Sequence, residues 1–202
     1  NVYRGVVENV LPGMQAAFVD IGYDINAFLP FTEIQNNKYL DEMDSDEYHN
    51  KNNHNHGSIK VDLQTGQEIF IQVIKEPFAG KGPRVTTEVS IPGRLLVLVP
   101  NEKYIGISKK VWDKYERRRL KKIANSLKED NFGLIIRTVA EGKSEEQLTN
   151  DYKTLIKKWQ TLKSKTKRAK APCIVYEDLE TASSVIRDLF SSDVEKIVID
   201  SK

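Results

Sequence analysis

Cysteine and histidine are scarce in this 202-residue chain, and both scarcities narrow its chemistry. Cys173 is the single cysteine, so no intramolecular disulfide can form and a reducing compartment is its natural setting. It lies in an apolar, strand-like run, residues 171 to 176, where a small buried side chain is expected. The three histidines, His49, His54 and His56, all sit in one polar segment. No Ser/His/Asp set is therefore available, and without accompanying cysteines their spacing fits no structural zinc pattern. Asp44-Ser-Asp46 fails as a calcium loop because the glycine and terminal glutamate are missing. Asp20 and Asp200 each lack the partner carboxylate of a two-metal site. No run of about 18 apolar residues exists and no basic-then-apolar leader precedes the first strand, so neither a membrane span nor a secretion signal is read, and the expected location is cytoplasmic. Gly142-Lys-Ser144 resembles the tail of a P-loop, but the glycine required five positions earlier is Arg137, which argues against a nucleotide triphosphatase. No catalytic residue and no metal ligand set emerges.

What the chain does have is charge, and the signs are segregated. Net charge is only +2, yet Asp41, Glu42, Asp44, Asp46 and Glu47 cluster together, while residues 109 to 128 carry nine lysines and arginines. Residues 153 to 170 are also strongly basic. Basic helices on one face neutralise phosphates and make binding salt-dependent; the same pattern also describes a solvated helix face, and both readings stand.

The opening segment reads as successive short strands. Val6, Val7, Val10, Phe18, Val19 and Ile21 supply β-propensity, and Pro12-Gly13 and Gly22 supply the breaks. Residues 3 to 34 give three strands, and Glu68-Ile-Phe-Ile-Gln-Val-Ile-Lys75 and Arg84-Val-Thr-Thr-Glu-Val-Ser90 give two more. Five strands match the OB-type barrel. Between them, residues 36 to 64 are rich in Asn, Asp and His with few large apolar side chains, the composition of a mobile insertion.

Beyond Pro92-Gly93 the pattern becomes mixed. Leu95-Leu-Val-Leu-Val99 is a short apolar strand, with Tyr104-Ile-Gly-Ile-Ser108 expected as its hairpin partner. Ser108 stands at an N-cap position before a basic helix on which Val111, Leu120, Ile123 and Leu127 share a face. Gly133-Leu-Ile-Ile-Arg-Thr138 is another strand, and Ser144-Glu-Glu-Gln147 opens a second helix as a capping box, with Leu148, Tyr152, Leu155, Ile156, Trp159 and Leu162 on one side. Cys173-Ile-Val-Tyr176, a helix from Ala182 to Phe190 and a strand from Lys196 to Asp200 read as a β-α-β unit separate from the barrel. Asn1 is not a start methionine and the last residues read as a strand cut short, so part of a longer polypeptide is expected.

Two groups of residues suggest binding. Phe18 and Phe28 offer π-faces, and Lys81, between Gly80 and Gly82, is a mobile cation beside them; that combination suits single-stranded RNA. A phenylalanine in a strand is more often a core residue than a ligand surface, and the pattern alone leaves this open. Arg137 and Thr138 end an apolar strand, where a guanidinium fork beside a hydroxyl can hold a terminal phosphate. An ion pair for Arg137 and a turn role for Thr138 are the alternatives.

Taken in order, Gln15-Ala-Ala-Phe-Val-Asp-Ile-Gly22, Ala27-Phe-Leu-Pro30, Gly106-Ile-Ser108 and Gly133-Leu-Ile-Ile-Arg-Thr138 with Gly142-Lys-Ser144 resemble the ribonuclease E/G family of endoribonucleases. The resemblance implies an α+β chain: an S1-type OB barrel at about 1–90, a 5′-sensor subdomain at about 91–170 and part of an RNase H-like subdomain at 171–202. It implies that Phe18, Phe28 and Lys81 clamp RNA, and that Arg137 and Thr138 hold a 5′-monophosphate in a pocket shaped by Gly93 and Val97. Lys109 replaces a family arginine there, which keeps the charge and loses the bidentate fork. It implies further that cutting is done with Mg2+ by a DNase-like subdomain C-terminal to this region, that a cysteine-held Zn2+ links protomers of a homo-oligomer, and that this region binds RNA without cutting it, in rRNA processing and mRNA decay. A non-catalytic S1-type module, ribosome-associated or RNA-chaperoning, is the alternative.

Overall fold

The computed structural model describes residues 1–34, 61–129, 131–166, 169–177, 194–196 and 198. Most of the polar insertion, with His49, His54, His56 and the Asp44-Ser-Asp46 run, lies outside the described residues, as do the helix expected from Ala182 to Phe190 and Asp200. The chain divides into two compact units, one comprising residues 1–90 and 162–175, the other 91–161 with the residues from 176 onward.

The first unit is a closed barrel. Strands β1 (Val2–Leu11), β2 (Ala16–Asp20), β3 (Ala27–Pro30), β4 (Glu68–Lys75) and β5 (Arg84–Thr86) run in the order β1-β2-β3-β5-β4, and β4 pairs back onto β1. A single long strand closes the ring: Val2 to Val6 pair with β4, and Val6 to Leu11 pair with β2. The register shifts between Val7 and Asn9, a bulge that bends β1 from one neighbour to the other. Gly5 permits the close approach, since a Cβ there would lie 2.6 Å from Val19 Cγ1 and 2.7 Å from Asp20 O. Period-two alternation fills the interior: Val7, Ala17, Val19, Ala27, Leu29, Ile71 and Val85 are fully buried. Five strands at the expected places thus make an OB-like barrel, with β5 stopping at Thr86 rather than running on to Ser90.

The barrel's sheet carries one unexpected strand. β10 (Cys173–Tyr176) lies beside β1 in the same sheet, although the sequence suggested an α/β unit apart from the barrel. Arg4 explains part of this, because its Nη1 donates to Thr166 O at 3.0 Å and Ala169 O at 2.7 Å, fastening the incoming segment to β1. Cys173 there is half-buried, not buried as expected.

The second unit is a four-stranded sheet, β6 (Ile91–Pro92), β7 (Leu96–Pro100), β8 (Ile105–Ile107) and β9 (Phe132–Ile136), with helices α1 (Lys114–Leu127) and α2 (Glu145–Thr166). Strand order is β6-β7-β9-β8. Tyr104 to Ser108 is therefore not the hairpin partner of β7: β9 inserts between them, antiparallel to β7 and parallel to β8. The physical reason is α1, which forms the crossover that a parallel β8–β9 pair requires. Leu96, Leu98, Leu134 and Ile136 point to one face and pack with Leu120 and Ile123 of α1 and Leu148 and Leu155 of α2.

Helix starts follow local chemistry. Asp113, not Ser108, caps α1, its carboxylate accepting from Tyr115 N at 2.9 Å. The capping box of α2 forms as expected: Ser144 N donates to Gln147 Oε1 at 3.0 Å, and Gln147 N to Ser144 Oγ at 3.3 Å. No helix among the described residues is long and apolar enough to cross a membrane.

Candidate nucleic-acid interface

On the barrel, Phe18 and Phe28 are direct cross-strand neighbours. Their rings lie 5.8 Å apart with planes inclined at 56°, an attractive tilted geometry. Each alternates with buried residues, Ala17 and Val19 for the first and Ala27 and Leu29 for the second, so both rings stand on the outer face and are half-buried. They are not core. Arg84 faces Phe28 across the β3–β5 pair and is held by Glu33 Oε1 at 2.9 Å. Sequence reasoning passed over Arg84 because its place beside Phe28 comes from a parallel pairing distant in sequence. Lys81 is exposed at the tip preceding β5, where Lys81 N bonds Phe78 O at 3.0 Å. That tip is pinned to the start of β3: Phe28 N donates to Pro83 O at 2.8 Å, and Gly82 lies so close that a Cβ would fall 2.0 Å from Asn26 O.

In the second unit, the residues flagged by sequence converge on the ends of adjacent strands. Ile135 and Arg137 alternate with buried Leu134 and Ile136, so they take the sheet face opposite the helices, where Val97 is the partner of Ile135. Gly106 lies under Ile135 as well, leaving its side chain room. Arg137 N continues the ladder to Leu95 O at 2.9 Å, and its Nη1 donates to Gly93 O at 2.8 Å. Gly93 and Arg137, 44 positions apart, thus form one unit of geometry. Thr138 Oγ1 and Ser108 Oγ are 2.8 Å apart. One hydroxyl proton is used within that pair, leaving the second to point elsewhere. Lys109, directly after Ser108, is exposed.

Two supports were not foreseen. Asp151 on α2 accepts from Leu95 N and Leu96 N, both at 2.9 Å, and from Arg94 N at 3.2 Å, fixing the loop that carries Gly93. Glu116 takes Arg119 in a two-pronged pair, 2.6 and 2.7 Å, and also accepts from Gly142 N at 2.9 Å, while Arg119 reaches Lys143 O at 2.9 Å. These bonds tie α1 to the loop following Thr138. The Arg119 hydrogen bonds hold the Glu116 carboxyl down at about 2, against an ordinary value of 4.5. Neither support has a sequence signal, since acidic residues on helices are common. Ser108 had one, as the last residue of the Gly106-Ile-Ser108 motif.

By fold the chain is an OB-like barrel joined to a small α/β sheet, with an aromatic pair on the first and a guanidinium, two hydroxyls and an exposed lysine gathered on the second. Comparison with known proteins places the chain in a family. A sequence model of the Ribonuclease E/G family matches residues 90–202. Ribonuclease G of Salmonella typhimurium is 37% identical over 202 residues, covering 100% of this chain and 40% of that protein. Ribonuclease G of Escherichia coli K12 is 36% identical, with the same coverage. Ribonuclease E of Nostoc sp. is 35% identical over 202 residues, 28% of its length. The chain belongs to the ribonuclease E/G family. It spans well under half the length of these relatives.

Proposed function

We propose that this chain is the RNA-binding and 5′-monophosphate-sensing region of a single-strand-specific endoribonuclease that acts in RNA processing and decay. The observation that carries the reading is the convergence of Gly93, Arg137, Thr138 and Ser108 at one sheet end. A terminal phosphate presents several anionic oxygens, and a guanidinium with a hydroxyl proton and Lys109 nearby meets them with charge-assisted hydrogen bonds. Val97 and Ile135 give that position an apolar floor against which a terminal nucleotide rests. The outward Phe18–Phe28 pair, with Lys81 at the neighbouring tip, supports single-strand binding in the manner of an S1-type barrel, because stacking tolerates any base.

Scission belongs, in this reading, to a DNase-like subdomain C-terminal to this region, and the region itself binds RNA without cutting it. Among the described residues no three His, Cys, Asp or Glu side chains gather in one place, and no step of the proposed function runs through a metal held by them. An RNase H-like continuation after β10, a cytoplasmic location and a homo-oligomeric, metal-dependent parent enzyme complete the proposal.

The test compares matched single-stranded RNAs carrying a 5′-monophosphate or a 5′-hydroxyl. Charged hydrogen bonds contribute ~1.5–3 kcal/mol each, so a preference of roughly 10-fold or more for the monophosphate is expected in the wild type, abolished by Arg137→Ala and reduced by Arg137→Lys. Equal binding of both RNAs by the wild type rejects the sensor and leaves a non-catalytic RNA-binding module. Absence of salt-dependent RNA binding rejects both.

A further inference from the structure

Two strongly exposed aromatic side chains among the described residues of the second unit take no part in the proposed sensor. Trp112 is 84% exposed and Tyr115 is 80% exposed, three residues apart at the start of α1. Exposing an indole costs the transfer energy its burial would recover, so the structure must hold it out for a local reason. Val111, one residue earlier, occupies the buried slot at 1% exposure. Asp113, one residue later, is committed to the cap. The residue before a cap ordinarily packs against the fourth helical residue; here that residue is Arg117, whose Nη1 is bonded to Ser108 O at 2.9 Å and Val111 O at 3.1 Å. Trp112 therefore has no intrahelical partner to fold onto, and the two Arg117 bonds hold the turn that presents it.

The surroundings select the occupant. Lys109, Lys110, Lys114 and Arg118, each within three residues of one of the two rings along the chain, are exposed. Of the nearby acids, Asp113 is spent on the cap and Glu116 on Arg119 and Gly142. The patch is thus aromatic and cationic together, complementary to a ligand with flat apolar groups strung on a polyanion. The turn is also anchored to the phosphate-competent sheet end, because Ser108 bonds Thr138 and Trp112 follows Ser108 by four residues, within ~15 Å of chain.

We propose that Trp112 and Tyr115 form a second nucleobase-stacking platform, separate from Phe18 and Phe28, which takes unpaired bases of single-stranded RNA while the flanking lysines engage its phosphates. The proposal rests on the reading of this chain as RNA-binding. It adds grip that does not depend on the 5′-phosphate.

The test uses the whole chain and the same two RNAs. Stacking contributes ~1–3 kcal/mol per base, so Trp112→Ala is expected to weaken both RNAs by roughly 5- to 150-fold and to leave the monophosphate-to-hydroxyl ratio unchanged; Trp112→Phe retains most of the affinity. With Trp159→Phe, or by difference against Trp112→Phe, the Trp112 emission is expected to be open to acrylamide in the free protein and quenched on adding RNA. RNA binding within 2-fold of wild type in both Trp112→Ala and Tyr115→Ala overturns the platform and leaves the 5′-sensor intact. So does an acrylamide-shielded Trp112 in the free chain. Binding to vesicles containing anionic phospholipid that Trp112→Ala abolishes, with RNA affinity unaffected, overturns it in favour of a membrane surface. Loss of the 5′-phosphate preference in Arg137→Ala with Trp112 still quenched by RNA supports the platform independently of the sensor.

Discussion

Gly93→Ala is a sharp test of how the second unit is held together. Every side of this glycine is occupied: its N–H donates to Leu96 O at 2.8 Å, its carbonyl accepts from Arg137, and an added Cβ would lie 2.7 Å from Asp151 Oδ2 and 3.0 Å from both Asp151 Oδ1 and Leu96 O. The methyl group falls roughly 0.7 Å short of ordinary contact with Oδ2. The carboxylate is the softer neighbour, so it moves and strains the bonds from Leu95 N and Leu96 N that end on that oxygen. Hydrogen bonds to a charged group are worth ~1.5–3 kcal/mol each. Asp151 is only half-buried, so water restores part of the loss, and about 2–3 kcal/mol of destabilisation is expected. Both tryptophans, Trp112 and Trp159, lie in the second unit, so their emission during urea unfolding reads this unit alone. With a slope of ~1–3 kcal/mol per molar urea, the midpoint falls by about 1–2 M. Asp151→Ala removes the same bonds directly, and in that background most of the Gly93→Ala cost should vanish, because the obstructing carboxylate is gone. A Gly93→Ala protein within about 0.5 kcal/mol of wild type, or full additivity with Asp151→Ala, refutes the reasoning.

Three further outcomes follow from other contacts. The Glu116 carboxyl is depressed to about 2, so its contribution to stability is complete above 4.5, the unfolded value, and is lost as pH falls through 2; the stability gap between wild type and Glu116→Gln should be widest at neutral pH and close between pH 4.5 and 2. Identical gaps at pH 7 and pH 2 contradict it. Gly82→Ala drives a Cβ to 2.0 Å from Asn26 O, a backbone atom that can yield only by opening the β3–β5 junction, so a fall in thermal midpoint of several degrees is expected by circular dichroism. Phe18→Ala removes an outward ring from the barrel surface: unfolding energy should drop by less than the ~3–5 kcal/mol of a core phenylalanine, while RNA affinity falls by ~1–3 kcal/mol, and a larger stability loss with unchanged RNA binding places Phe18 in the core instead.

Local rules in the sequence settled a good deal. The β-propensity and breaks along residues 3 to 34 marked three short strands, but which face of them is buried stayed open until the barrel closed with Ala17, Val19, Ala27 and Leu29 inside and Phe18 and Phe28 outward. Pro12-Gly13 marked a turn, and Ser144 to Gln147 announced a helix start that forms through its own two hydrogen bonds. The ordered motifs sufficed to identify the ribonuclease E/G family. Periodicity, however, states which residues share a face and not which strand stands beside them. Tyr104 to Ser108 looked like a hairpin partner for β7, and only the packing of α1 over the sheet placed β9 between them. The same limit hid the attachment of β10 to β1, to which Arg4 contributes by reaching carbonyls more than 160 residues away. Arg137 was visible as a cation at the end of an apolar strand, but its union with Gly93, and that of Thr138 with Ser108, came from strand neighbours chosen by tertiary packing. Sequence determined the residue types, most of the strands and helices and the family; the fold decided which of them meet, because long-range pairing is set by the burial of whole surfaces rather than by any local pattern.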